Sequence, residues 1–117
     1  MSAPSRMNLT IDVNNQASGL VVKLKGEVGN NEVDFFKSQL MRILGQRAKK
    51  VVFDMTDLYF IASAGMGALA SFRRSALSSG AKVFLAAVPA KLDVLLKTAG
   101  MNQLYTMCIT VDEALAK

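Results

Sequence analysis

Chemistry in this 117-residue chain is most concentrated around Ser63. Gly65-Met66-Gly67-Ala68-Leu69-Ala70 matches the G-x-G-x-x-A pattern that opens a dinucleotide site. Such a site lays pyrophosphate on a helix start and needs an acid about 20 residues on, at the end of the next strand. Ala86, Ala87 and Val88 stand there instead. The small residues therefore read as a means for a helix to lie close to a sheet. Ser63-Ala64-Gly65 is also half of a G-x-S-x-G nucleophile elbow. The position of its first glycine is Ile61, and the chain has no histidine to activate a serine. That absence removes the Ser-His-Asp triad and every zinc site that needs imidazole. What remains for Ser63 is to cap a helix that starts at Ala64, its hydroxyl accepting from an orphan amide. A phosphate on the same oxygen would meet exposed amides and the positive end of the helix dipole.

The other reactive side chains are sparse. Asp54 and Asp57 lie at the end of a strand and just after it, where two carboxylates can hold Mg²⁺. A bond from Asp54 to nearby loop amides is the simpler role. Cys108, between Met107 and Ile109, reads as a buried strand residue. A single cysteine excludes an internal disulfide and points to a reducing compartment. The net charge of +5 is spread along the chain, with only Lys49-Lys50 and Arg73-Arg74 as adjacent basic pairs. With two tyrosines, six phenylalanines and no tryptophan, the chain lacks the basic and aromatic interleaving that stacks bases. Nucleic acid is not an expected partner. No apolar run approaches the roughly 20 residues of a membrane span. The polar start, Met1 to Met7, has no signal-peptide core and reads as a disordered tail. The expected location is the cytoplasm, with no cofactor and no metal.

These residues need elements to position them. Leu9, Ile11 and Val13 alternate with polar residues, and Leu20, Val22 and Leu24 alternate with Val21, Lys23 and Lys25, across the turn cluster Asn14–Gly19. This predicts an antiparallel hairpin. Val33, Phe36, Leu40, Ile43 and Leu44 fall at helical spacing, with Asn30 or Asn31 as cap and Gly45 near the end. Val51-Val52-Phe53 is a strand covered on both faces, followed by a loop through Asp57, Leu58 and Tyr59. A helix from Ala64 to Leu77 buries Met66, Leu69, Ala70, Phe72, Ala76 and Leu77. Then come a strand over Val83–Val88, a helix from Pro89 to Gly100, a short strand over Tyr105–Ile109 and a capping box at Thr110–Glu113. The order β-β-α-β-α-β-α-β-α predicts one α/β domain over residues 8–117. Its sheet is mostly parallel with an antiparallel N-terminal edge, and helices pack on it.

The stretch from Val51 to Leu69 resembles the central segment of the STAS domain, shared by bacterial anti-sigma factor antagonists and the cytoplasmic part of sulphate transporters. In that family a strand ends in Asp, a loop follows, and Asp-Ser-x-Gly-x-Gly opens a helix. Here Asp54 ends the strand and Ser63-Ala64-Gly65-Met66-Gly67 opens the helix. Gly26-Glu27-Val28 is similar to the family's Gly-Glu-Leu, and the Pro89–Gly100 helix and the Glu113-Ala114-Leu115 ending also resemble family features. Two positions depart. Ala62 replaces the acid before the serine, and Gly29 replaces the acid that often follows Gly-Glu-Leu.

The resemblance implies a non-catalytic regulatory module, an anti-sigma factor antagonist of partner-switching type. It implies an anti-sigma factor that is also a serine kinase as partner, phosphorylation at Ser63 that ends the binding, and a phosphatase that restores it. The docking surface would comprise Gly29, Asn30, Ala62, Ser63, Ala64, Gly65 and Met66. The alternative is a STAS-like accessory subunit of an envelope lipid transporter, seated on an ATPase subunit and needing no phosphorylation.

Overall fold

The computed structural model describes residues 7–117; the tail expected over Met1 to Met7 lies, but for Met7, outside them. Five strands form one sheet in chain order: β1 (Leu9–Gln16), β2 (Gly19–Val28), β3 (Lys50–Ile61), β4 (Lys82–Ala86) and β5 (Thr106–Cys108). The hairpin β1–β2 is antiparallel and every later pairing is parallel. The helices are α1 (Val33–Gly45), α2 (Ser63–Ser78), α3 (Ala90–Thr98), α4 (Met101–Leu104) and α5 (Val111–Ala116).

One face of the sheet carries the main core. Leu20, Val22 and Leu24 of β2 and Val51, Phe53 and Met55 of β3 point into it at alternate positions. Phe36 and Leu40 of α1, Leu69 and Phe72 of α2, and Leu92 and Leu96 of α3 close over them. Phe53 and Phe72 meet edge to face, with centroids 5.3 Å apart at 79°. On the opposite face, Val52, Phe84, Ala86 and Cys108 form a smaller cluster under Ala114 of α5. Burial pushes the Cys108 thiol above its ordinary pKa, as befits a strand residue rather than a nucleophile. Val21 of β2, in register with Val52, is buried as well. Lys23 lies 3.2 Å from Asp57, whose carboxylate raises the ammonium pKa by accepting its hydrogen bond and by its charge.

The strand β3 is longer than the apolar run Val51–Phe53 predicts. It runs to Ile61 because Met55, Leu58 and Ile61 remain buried. Lys23 pairs with Asp54 but Lys25 with Asp57, and Gly26 pairs with Leu58 but Glu27 with Phe60. Each step inserts one extra residue in β3, so the inward residues fall three apart instead of two. The expected loop at Asp57–Tyr59 is thus a twice-bulged strand. Asp54 accepts from the amide of Thr56 at 3.1 Å and from its hydroxyl at 2.6 Å, as a turn-holding carboxylate does.

Other ends shift for local reasons. The chain leaves α1 through Arg47, at φ 56°, rather than at Gly45. Glu32, not Asn30 or Asn31, precedes α1, and no side chain caps it. Pro89 sits one residue before the first helical position of α3, and the left-handed Gly100 separates α3 from the unforeseen turn α4. Leu77 is exposed, although Leu69, Phe72 and Ala76 are buried as expected. The terminal capping box forms. Thr110 Oγ1 accepts from the Glu113 amide at 3.0 Å, and Glu113 reaches back to the Ile109 amide at 2.7 Å.

The strand β4 stops at Ala86, short of the predicted Val88, because Ala87 turns into the left-handed region at φ 57°. Its amide is tied to the Cys108 carbonyl at 3.0 Å. An alanine there costs about 1–2 kcal/mol, more than the roughly 0.4–1 kcal/mol of unfolded-chain entropy that glycine adds. Ala87→Gly is therefore expected to raise the urea midpoint, and Ala87→Val to lower it.

Tyr105 is buried, and its hydroxyl donates to the Leu69 carbonyl in the middle of α2. Burial raises the phenol pKa well above its ordinary value, so the group stays a neutral donor. Tyr105→Phe is expected to cost about 1 kcal/mol, read as a lowered denaturation midpoint with unchanged secondary structure.

Candidate functional site

The parallel strands β2 and β3 end side by side, and their C-terminal ends carry the site. Val28 pairs with Ile61, and the Ala62 amide donates to the Val28 carbonyl at 2.8 Å. This one bond sets the β2–α1 loop, with Gly29 and Asn30, beside the start of α2, with Ala62, Ser63 and Ala64. Crevices at the C-terminal ends of parallel strands are where open α/β sheets place their binding surfaces.

The extended residue Ala62, at φ −76° and ψ 164°, is the N-cap of α2, and Ser63 is its first helical residue. The expected cap by the Ser63 hydroxyl is not made, and no side chain caps this helix. The backbone reason is the bond of Ala62 to β2, which holds Ala62 extended and lets the helix begin at the next residue. Its first intrahelical bond joins the Met66 amide to the Ala62 carbonyl at 3.0 Å. The amides of Ser63, Ala64 and Gly65 precede that bond and have no acceptor within the helix. Ser63 and Ala64 are exposed. The first turn contains no acid. The hydroxyl of Ser63 is thus an open, uncommitted oxygen at the positive end of a 16-residue helix.

The other expected site residues divide by exposure. Asn30 is exposed and Gly29 partly so. Met66 is half-buried and packs against the core. Gly65 is buried and faces inward. A Cβ there would lie 2.7 Å from Val28 Cγ1 and 2.9 Å from Ile61 Cγ1. Its smallness serves the sheet below it and draws the start of α2 onto β2 and β3. Gly67 behaves differently, since a Cβ there would meet nothing within 4 Å.

Glu32 has a larger part than its place near a helix dipole indicates. It is 2% exposed, the one charged side chain among the buried described residues. Its carboxylate accepts from the Gly29 amide at 2.9 Å and from the Asn8 amide at 2.9 Å. The Glu32 amide donates back to the Gly29 carbonyl at 3.0 Å. Gly29-Asn30-Asn31-Glu32 is therefore a turn ahead of α1 that Glu32 closes through both its carboxylate and its amide, and the acid three residues after the glycine was the available signal. Glu32 positions the loop beside Ser63 and ties it to β1. The aromatic rings of Tyr59 and Phe60 are also exposed at this end of β3, at 62% and 38%. The bulges that hid the strand turn them outward, and exposed aromatics are frequent anchors in protein interfaces.

The sequence model of the STAS domain family matches residues 8–114, and the chain belongs to that family. Several solved structures share its fold. An anti-sigma factor antagonist from Mycobacterium paratuberculosis is 19% identical with a TM-score of 0.84, over 99% of this chain and 97% of that one. The Bacillus cell fate determinant SpoIIAA in its phosphorylated form is 17% identical with a TM-score of 0.69, over 92% and 97%. A sulfate transporter family protein from Wolinella succinogenes is 23% identical with a TM-score of 0.70, over 82% and 80%. At these identities the likeness is one of fold. Among the described residues no helix is long and apolar enough to cross a membrane.

Proposed function

We propose that the chain is a non-catalytic binding module of the cytoplasm, an anti-sigma factor antagonist that works by partner switching and is controlled by phosphorylation of Ser63. The observation that carries this reading is the exposed Ser63 hydroxyl on an uncapped helix start, flanked by a loop that a buried glutamate holds in place. Gly29, Asn30, Ala62, Ser63 and Ala64 form the docking surface, with Gly65 and Met66 supporting it from below. The partner is an anti-sigma factor that is also a serine kinase. A phosphoryl group moved from ATP to Ser63 Oγ adds about −1.5 to −2 charges to this surface. The three free amides and the helix dipole tolerate that charge within the domain, while a docked partner must desolvate it. Hydrolysis of the phosphoserine by a phosphatase restores the docking surface.

A second reading has its own support. Ala62 and Gly29 leave this surface without the two acids of the family pattern, so it offers a kinase less to recognise and an apolar partner more to bury. In that reading the domain is an accessory subunit on the ATPase of a lipid transporter. Affinity capture from the native cell, with phosphate mapping on the recovered chain, decides between them. Under the first reading, the captured protein is an anti-sigma factor kinase and phosphate is found on Ser63. Capture of a transporter ATPase with unmodified Ser63 establishes the second.

A further inference from the structure

Helices α1 and α2 lie side by side and leave a trough of about 600 Å³ between their outer faces. Leu40, Leu44 and Phe72 line it as an apolar base. A second depression of about 520 Å³ shares Met41 and Leu44 with it and continues to Arg47 and Lys49. The two make one channel along α1, whose 13 residues span about 20 Å at 1.5 Å per residue. A groove between two packed helices is the seat into which the ridge of a third helix fits.

The walls favour such an occupant. Gly67, Ser71 and Ser75 of α2 follow at steps of four, so this wall is low and admits another backbone closely. The space over Gly67 is open. Met41 on the opposite wall is 73% exposed, a large apolar side chain left in water and able to adapt its shape. Charge then selects the kind of helix. Lys37, Arg47 and Lys49 line the channel, and no Asp or Glu lines either part of it. A second copy of this chain would bring a further net +5 toward those cations.

We infer that the α1–α2 channel seats an acidic amphipathic helix of a protein partner. The apolar stripe of that helix lies on Leu40, Leu44 and Phe72, and its carboxylates face Lys37, Arg47 and Lys49. The channel borders the proposed docking surface at Ala64 but uses neither the Ser63 oxygen nor its phosphorylation.

The probe is a synthetic helical peptide of about four turns, with leucines on one stripe and glutamates on the other faces. Its twin carries lysines in place of the glutamates. Titration into the full chain, followed by amide-resolved NMR, is expected to move the signals of α1 and α2 around Gly67 and Ser71 and to leave β1 and α5 unmoved. Gly67→Leu puts a branched side chain into the channel from a position where a Cβ meets nothing within 4 Å, and is expected to weaken the peptide at least about tenfold. Lys37→Glu, a surface change that spares the fold, is expected to weaken it several-fold, less so at high salt. Binding of the lysine twin as tightly as the glutamate peptide overturns the inference. So does undiminished binding by both variants, or the absence of any shift along the channel. Concentration-dependent self-association that Gly67→Leu abolishes would assign the channel to a second copy instead, and overturns it as well.

Discussion

Ser63→Asp is expected to weaken binding of the captured partner by at least about tenfold, which is about 1.4 kcal/mol, while Ser63→Ala binds as the wild type does. The size follows from placing a carboxylate where a partner must strip its water without supplying an opposite charge. The contrast is clean because neither change disturbs the domain. Ser63 makes no capping bond and is exposed, so alanine removes nothing that the fold uses. Alanine is also a better helix former than serine, so the variant should equal or slightly exceed wild-type stability. An aspartate in the first turn lies at the positive end of the helix, worth roughly 0.3–1 kcal/mol in its favour. Loss of binding by the aspartate variant therefore reports the interface. The pair is measured by calorimetric titration, with urea midpoints of both variants taken alongside. Equal affinity for all three forms would remove the phospho-switch and leave the transporter-accessory reading. Those same titrations leave the channel between α1 and α2 to its own test, because Ser63 is not part of it.

Gly65→Val is expected to lose at least about 3 kcal/mol of stability, a large part of the roughly 5–15 kcal/mol that holds an ordinary domain together. Even a methyl group at this position would lie inside contact distance of Val28 Cγ1 and Ile61 Cγ1. Both are fully buried residues of the paired strands β2 and β3, so the helix must move instead of the sheet. Gly65→Ala should lose less, since it adds the Cβ alone. Gly67→Ala, two residues on, should do the opposite and gain up to about 1 kcal/mol, because its Cβ meets nothing and the helix propensity improves. Urea denaturation of the three variants reads the series. The displaced helix start in Gly65→Val carries Ser63 with it, so any folded fraction should also bind its partner weakly. A wild-type midpoint for Gly65→Val would show that close packing on β2 and β3 is not what positions Ser63.

The two glycines show where reading the residues in order reaches its limit. Both stand in one helical run and both look like devices for close approach. Only the packed structure separates them, because the register of Val28 against Ile61 decides what lies under each. Ser63 gives the same lesson. Its type and its place before an Ala-rich run identify a helix start to within one residue, yet whether its hydroxyl caps that helix depends on Ala62. The bond from Ala62 to Val28, formed between residues far apart in the chain, moves the cap one position back. Glu32 is legible as an acid near a helix start, but its two backbone partners come from Gly29 and from Asn8, just before β1. Burial of that carboxylate follows from the strand arrangement alone.

The alternation of strands and helices, the antiparallel edge hairpin, the Thr110–Glu113 capping box and most of the helical core positions are legible in the residues taken in order, because they rest on periodicity and short-range bonds. The family is legible there too, through the order of the segments around Ser63. Features that need two distant segments at once appear only when the chain packs. The bulges in β3 shift its inward residues from every second to every third position, which erases the local signal of a strand. They arise from pairing with β2. The left-handed turn at Ala87 is held by β5. The channel between α1 and α2 exists only when the two helices pack side by side, and its row of Lys37, Arg47 and Lys49 without an acid is a scattered set of charges until the fold assembles it.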